Sequence, residues 1–440
     1  MAGIFGAVSK ENCIEDIVLG SFYLQDRAQD YCGIAWKNET LEASTHKGLL
    51  EANYESSLKN MKTSCGIGTV SSERSPTSEL SNTGGLILAY DGNIANSDEI
   101  KNNLLKEGAS FSGHHNPKRV SDGVLISKII SKETSFEKGI ERLSSQLIGD
   151  YSILALSKEG IYAARGWGRK PLILGRHKEK ESYAVSSESV SFINLDYSIE
   201  RDVKPGEIVL LDEKGFHHVT KLDLQPIKYG TFEWIYTAHP SSVIDGKSVE
   251  LVRNSLGEEL AKKIKNKIQV DIVSPIPDSG RCHATGLANV LSKELNIDYL
   301  EVFKKFPYCG RSFTPNNLKD QMKKAERKLI PVESIIKDKR ILLVDDSIVK
   351  GNQTRKQTQR LKDLGAKEVY AAIACPPLMA ACKYGKSIQK DDECIAKVMD
   401  IEQIRKTRGL DGLFYAGLED LEKAIGKPRE ELCLECWDLE

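Results

Sequence analysis

One stretch constrains this chain more than any other: Arg340-Ile-Leu-Leu-Val-Asp345-Asp346-Ser347-Ile-Val-Lys350-Gly351-Asn-Gln-Thr354. Its four consecutive apolar residues read as a strand buried on both faces, as in a parallel sheet. Two adjacent carboxylates end the strand, and a short polar turn then opens a helix. Strand, turn and helix in that order belong to a doubly wound α/β sheet. Neighbouring acids at a strand end can grip two adjacent sugar hydroxyls and hold hydrated Mg2+. The turn from Ser347 to Thr354 offers backbone N–H groups and hydroxyls to a phosphate at a helix N-terminus. The pattern suits a phosphorylated ribose; the same letters also suit a doubly wound sheet whose strand merely ends in two acids.

A second feature narrows the choice. Val270–Ile276 reads as another strand, ending in Pro277-Asp278-Ser279-Gly280-Arg281. A tight Asp-Ser-Gly turn presents backbone N–H groups, a hydroxyl and a guanidinium to a diphosphate. With both turns at one edge of one sheet, the two ends of a ribose bearing a phosphate and a diphosphate are provided for. Ser248–Lys267, His283–Leu295 and Gln353–Leu364 carry helical spacing, while Tyr299–Phe303 and Glu368–Ala374 read as further strands of a parallel core. Between the two turns lies Phe306-Pro-Tyr-Cys309-Gly-Arg311-Ser-Phe313, then the basic run Asn317–Lys328. That run reads either as a solvated loop or as a lid.

The amino-terminal half is organised differently. Gly3–Val8, Cys32–Trp36, Gly66–Val70, Leu86–Tyr90, Tyr151–Leu156, Gly160–Ala164 and Tyr183–Ser186 read as short strands bounded by Gly, Asn or Ser. Asp98–Lys106 and Ser121–Ser131 read as helices, giving an α+β sandwich. The join falls around Leu222–Thr231, where Pro226 and Gly230 interrupt a polar segment. A length of 440 residues accommodates two or three such domains. A net charge of −1 argues against a nucleic-acid partner. No apolar run reaches membrane-spanning length and the start lacks a basic n-region, so a cytoplasmic protein is expected. The ten cysteines are scattered, which points to buried thiols or a metal or cluster site and not to a disulfide framework.

Leu24-Gln-Asp-Arg27, Gly66-Ile-Gly, Tyr90-Asp91-Gly92-Asn93, Arg169-Lys-Pro-Leu, Ser186-Ser-Glu-Ser and Arg201-Asp-Val-Lys-Pro-Gly-Glu207 resemble the glutaminase domain of the amidophosphoribosyltransferase family. Glu233-Trp-Ile-Tyr resembles that family's entry into its second domain, and the likeness runs to the carboxyl end. It implies an Ntn-hydrolase-like αββα sandwich over 2–229 and an α/β type I phosphoribosyltransferase domain with a parallel sheet over 230–440. In the transferase half it implies that Asp278, Ser279, Gly280 and Arg281 meet the diphosphate of phosphoribosylpyrophosphate. Asp345 and Asp346 would hold the ribose hydroxyls and, with Ser279, organise Mg2+. Ser347, Lys350, Gly351 and Thr354 belong to the 5'-phosphate turn, and Arg311 and Lys328 fall on basic letters of a closing loop. Gly351-Asn-Gln-Thr354 departs from the family's Gly-Thr-Thr-Ser, exchanging two hydroxyls for amides.

Departures concentrate in the glutaminase half. Where the family exposes a nucleophilic cysteine, this chain has Ala2, whose methyl group cannot attack an amide. Ser71 replaces the arginine that binds the glutamine carboxylate, and Asp91-Gly92 replaces the Asn-Gly oxyanion pair. A carboxylate there opposes the negative charge that must develop. Asp122 keeps the position that holds the glutamine amine, and Cys13 and Cys32 read as ordinary buried thiols. The expectation is a transferase without its own glutamine supply, using ammonia, ammonia from a separate glutaminase, or another amine. The alternative is a regulatory pseudoenzyme that binds nucleotides or an active relative. Cys382, Cys433 and Cys436 match three ligands of the family's [4Fe–4S] cluster, but Gly230 stands at the fourth, leaving Cys375, Cys394, an oxygen or nitrogen donor, or no fourth ligand and three inert thiols. A homo-oligomer is expected from the resemblance.

Overall fold

The structure is a computed structural model and describes residues 1–50, 61–82, 84–111, 120–295, 297–307, 328–385 and 390–437. The chain forms two compact units. The first comprises Met1–Gly230, Ser241–Gly246 and Lys383–Ser387; the second comprises Thr231–Pro240, Lys247–Cys382 and Ile388–Glu440.

In the first unit two antiparallel sheets lie face to face. One runs in the order 197–202, 173–177, 182–186, 2–9, 65–71, 31–37, 41–47, the other 215–221, 207–212, 161–165, 149–156, 84–94, 77–81. Their facing side chains form one apolar layer containing Ile4, Ile67, Ile87, Leu154, Ile161 and Leu174. Ile14–Phe22 covers the outside of the first sheet. Helices Ser97–Lys106, Asp122–Ser131 and Phe136–Gln146 cover the second, burying Ile100, Ile126, Ile129 and Leu143 against Leu88 and Ile153. Helix, sheet, sheet, helix is the αββα order. Edge strands Leu41–Lys47 and Gly215–Lys221 are half-exposed and polar, so their alternation is too weak to stand out in the letters.

The second unit holds a five-stranded parallel sheet in the order 298–299, 272–275, 340–345, 368–373, 412–415. Helix Arg281–Leu295 packs one face through Ala284, Leu287 and Leu291 against Val273, Leu342 and Val344, backed by helix Val249–Ile264. Helix Asn352–Asp363 lies over the Glu368–Ile373 strand. Two expectations need correction. Of the Tyr299–Phe303 segment only Tyr299 joins the sheet, in the two-residue strand Asp298–Tyr299; Phe303–Lys305 pairs antiparallel with Leu329–Pro331, where Lys304 stays exposed as its charge requires. Gly412–Tyr415, too short to declare itself by pattern, adds the outer strand. Among the described residues no helix is long and apolar enough to cross a membrane.

Candidate functional site

The transferase crevice is built at the carboxyl edge of the parallel sheet. Strand Arg340–Asp345 is buried along its apolar run and delivers Asp345 and Asp346 to that edge. The Asp-Ser-Gly turn sits directly on this strand. Ile276 N–H donates to the Val344 carbonyl at 2.8 Å, and a Cβ at Gly280 would lie 2.2 Å from that same oxygen. Only glycine permits so close an approach. Ser279 Oγ then reaches Asp345 Oδ1 at 2.9 Å, so the two turns are hydrogen-bonded to each other.

The acid pair is held by hydroxyl and amide donors. Asp345 Oδ1 accepts from Ser279 and from Asp346 N–H at 3.0 Å, and Asp346 Oδ2 accepts from Ser347 Oγ at 2.6 Å. No lysine or arginine pairs with either among the described residues. Burial first, and the carboxylate of Asp346 second, push the Asp345 carboxyl well above its usual range. Uncompensated adjacent carboxylates with a hydroxyl at hand suit Mg2+, which takes one or two protein carboxylates and completes its octahedron with waters and substrate oxygens. The absence of any three-ligand group among the described residues is compatible with that habit.

Beside the Asp-Ser-Gly turn, cations and acids form a paired cluster. Arg281 Nη1 donates to Asp278 Oδ1 at 2.6 Å and Nε to Glu301 Oε1 at 2.9 Å. Lys305 also pairs with Asp278. Glu301 and Lys305 escaped the sequence reading; four residues apart in a Lys-rich segment, they look like solvated surface. On the phosphate side, Gly351 starts helix Asn352–Asp363 with φ +66°, the left-handed region glycine favours. Thr354 faces the sheet, whereas the Lys350 ammonium turns to Glu393 at 3.3 Å. Lys328 contributes its carbonyl to Phe306 N–H at 2.8 Å. Arg311 and Cys309 lie outside the described residues.

The second candidate pocket, in the first unit, is filled. Ala2 is buried in the strand Ala2–Ser9, opposite Ser71. Its N–H donates to Asp91 Oδ1 at 2.8 Å. Arg27 Nη2 reaches Asp91 Oδ2 at 2.6 Å, Nη1 reaches Glu188 Oε1 at 2.6 Å, and Nε donates to the Ala2 carbonyl at 2.8 Å. The side chains of Arg27 and Asp91 are both 0% exposed, and Lys170 Nζ stands 3.8 Å from Asp91. Burial alone would raise the Asp91 carboxyl; Lys170 and Arg27 overcome it and hold the group well below the carboxylate range. Gly92 packs so tightly that a Cβ would lie 2.2 Å from the Asp150 carbonyl. Asp122 accepts from Ile94 N–H at 3.3 Å, and the Tyr90 hydroxyl donates to Glu73 at 3.2 Å. The cavity left between Met1, Ala2, Ser71, Glu73, Tyr90 and Gly92 measures about 10 Å³, room for about one water.

Cys13 donates to the Ala7 carbonyl at 3.7 Å and Cys32 is buried, as their apolar settings require. Cys382 lies beside Cys436, and that neighbouring sulfur, followed by burial, pushes the Cys436 thiol up. Met379 N–H and Ala380 N–H donate to the Cys436 carbonyl at 2.8 and 3.2 Å, tying the two segments together. Even so, no set of three cysteine, histidine or acidic groups among the described residues is placed to hold a metal. Cys433 and Cys394 also lie near enough to raise the Cys436 thiol, so the cysteines gather at one place without forming a ligand set as they stand.

An antiparallel double sheet followed by a parallel sheet with paired acids and an Asp-Ser-Gly turn defines a phosphoribosyltransferase carrying a glutamine-amidotransferase-type domain. Family models agree: a glutamine amidotransferase domain matches residues 62–194 and a phosphoribosyl transferase domain residues 252–408. The amidophosphoribosyltransferase of Methanocaldococcus jannaschii is 34% identical over 99% of this chain and 96% of its own length. That of Methanothermobacter thermautotrophicus is 32% identical over 100% of this chain and 93% of its own. Among solved structures, the glutamine phosphoribosylpyrophosphate amidotransferase of B. subtilis, complexed with ADP and GMP, superimposes with a TM-score of 0.88 at 28% identity, covering 100% of this chain and 96% of that one. The chain belongs to the amidophosphoribosyltransferase family.

Proposed function

We propose that this chain transfers the phosphoribosyl group of phosphoribosylpyrophosphate to ammonia or a small amine and does not hydrolyse glutamine. The observation that carries the second half is the buried Arg27–Asp91 pair beside Ala2. A carboxylate already neutralised by Arg27 and Lys170 offers no donor to an oxyanion, and there is no thiol to create one. Nitrogen then comes from free ammonia, a separate glutaminase or another amine.

In the transferase half, Asp345 and Asp346 accept from the ribose hydroxyls, and the turn from Ser347 to Thr354 with its helix N-terminus receives the 5'-phosphate. Arg281 and Lys305, now paired with Asp278 and Glu301, face the diphosphate. Mg2+, held by Asp345, Asp346 and Ser279, would supply charge neutralisation for the leaving group. The nitrogen lone pair forms the bond to C1 as the C1–O bond breaks; diphosphate departs with the electron pair and the amine loses a proton. Holding both ends of the sugar fixes C1 for that attack. With ammonia the product is 5-phosphoribosylamine, the purine-pathway reading of this family. A homo-oligomer is part of the same reading.

The test is pyrophosphate release from phosphoribosylpyrophosphate with glutamine, ammonium and candidate amines supplied in turn. Ammonium or one amine is expected to support turnover while glutamine stays at background. Silence from every nitrogen source would leave the regulatory pseudoenzyme in its place.

A further inference from the structure

Helix Asn352–Asp363 lies on the face of the parallel sheet that carries Leu343, Asp345, Ala371 and Ile373, with Leu343 beside Ala371 and Asp345 beside Ile373 in register. A helix in that place ordinarily offers an apolar stripe. This one turns Thr354, Gln357 and Thr358 toward the interior before its first buried leucine, Leu361. The result is a cavity of about 30 Å³ between helix and sheet, lined by Asp345, Gln353, Thr354 and Gln357 with apolar residues between them. It has room for about two water-sized groups.

Gln357 is 6% exposed, yet its Oε1 meets no hydrogen-bond partner among the described residues. The adjacent Thr358 shows the contrast, sending its hydroxyl to the Thr354 carbonyl at 2.8 Å. A buried carbonyl without a donor is a standing cost to the fold. A ligand hydroxyl entering the cavity in place of water would supply the donor. The cavity borders the acid pair and the start of the phosphate-binding helix, so the ligand's class is already set. Its phosphate and diphosphate are acceptors at neutral pH. Of the sugar diphosphate's own groups, the ribose ring is the one that brings hydroxyl donors, and the cavity's size matches a hydroxyl-bearing corner.

We propose that Gln357 is a sugar-binding residue, its Oε1 accepting a hydrogen bond from a ribose hydroxyl at the floor of the crevice. The inference rests on the phosphoribosyltransferase reading and adds to it a contact outside the two recognised turns. Calorimetric titration of the full chain, wild type and Gln357→Met, with ribose 5-phosphate and with inorganic phosphate, tests it alongside the thermal midpoint of each protein. Gln357→Met is expected to weaken ribose 5-phosphate by roughly threefold to tenfold, the worth of one neutral hydrogen bond. Phosphate affinity should not change, and the midpoint should hold or rise because a partnerless carbonyl has gone. Equal ribose 5-phosphate affinity in both proteins overturns the proposal, as does a parallel loss of both ligands or a lowered midpoint, which marks a structural role. If the wild type itself binds neither probe, the transferase reading has failed, and that result is distinct from the others.

Discussion

The two pockets of this chain handle charge in opposite ways. At Asp91 and Glu188 the carboxylates are matched by buried cations: Arg27 bridges the two, and Lys170 stands behind Asp91. Around Asp345, two adjacent carboxylates meet only hydroxyl and amide donors among the described residues. A finished ion pair is a piece of core; an unfinished one is waiting for something to arrive. Buried charge with no protein partner is expensive, so a fold keeps it where a ligand supplies the balance.

The largest effect is expected where charge is unfinished. Asp346→Asn should reduce ammonium-supported pyrophosphate release by about a hundredfold or more while leaving the thermal midpoint close to wild type. A midpoint that drops with activity intact would reverse the comparison. Arg27→Met tests the other side. Removing one partner of a fully buried pair should cost roughly 3–5 kcal/mol of unfolding free energy, with pyrophosphate release retained below the new unfolding temperature. Glutamate release by this variant would break the comparison outright.

The smallest effect concerns pH, and the two acids differ in sign. Asp345 is raised, so its protonated form competes with Mg2+, and Mg2+-dependent binding of phosphoribosylpyrophosphate should weaken as pH falls toward the raised value. Asp91 is depressed, so its contribution to stability is present above the ordinary carboxylate pKa and is lost only as pH falls through the lowered one. Mildly acidic buffer should therefore weaken substrate binding before it loosens the first unit. Titrations monitored by calorimetry and by thermal unfolding across the same pH series check the order.

Much of this was legible in the letters because the decisive signals are local. Arg340–Asp346 announces its strand by continuous apolar residues and its chemistry by two adjacent acids, and Pro277–Arg281 is a turn by composition. Ala2, Ser71 and Asp91 were readable because each stands within a short stretch resembling a known family. What distance hides, the sequence could not show. Arg27 and Glu188 meet across 161 positions, and nothing near either of them names the other. Gln357 sits in a run of Arg, Lys and Gln that reads as a solvent-facing helix, so its burial emerges only once the helix is laid on the sheet. The polar edge strands were missed for a local reason: Leu41–Lys47 and Gly215–Lys221 close hairpins with Tyr31–Lys37 and Glu207–Asp212, but their half-exposed polar residues carry no clear alternation.

The contact of Gly280 with the Val344 carbonyl carries a consequence for how such a chain can change. Because main chain presses on main chain there, the spacing between the leaving-group end and the sugar end of the reaction is set by the backbone framework. Side chains elsewhere can be exchanged without detuning it. On the proposed reading, a lineage could therefore change its nitrogen source by rewriting only the approach to C1, with the frame between the two turns unaltered.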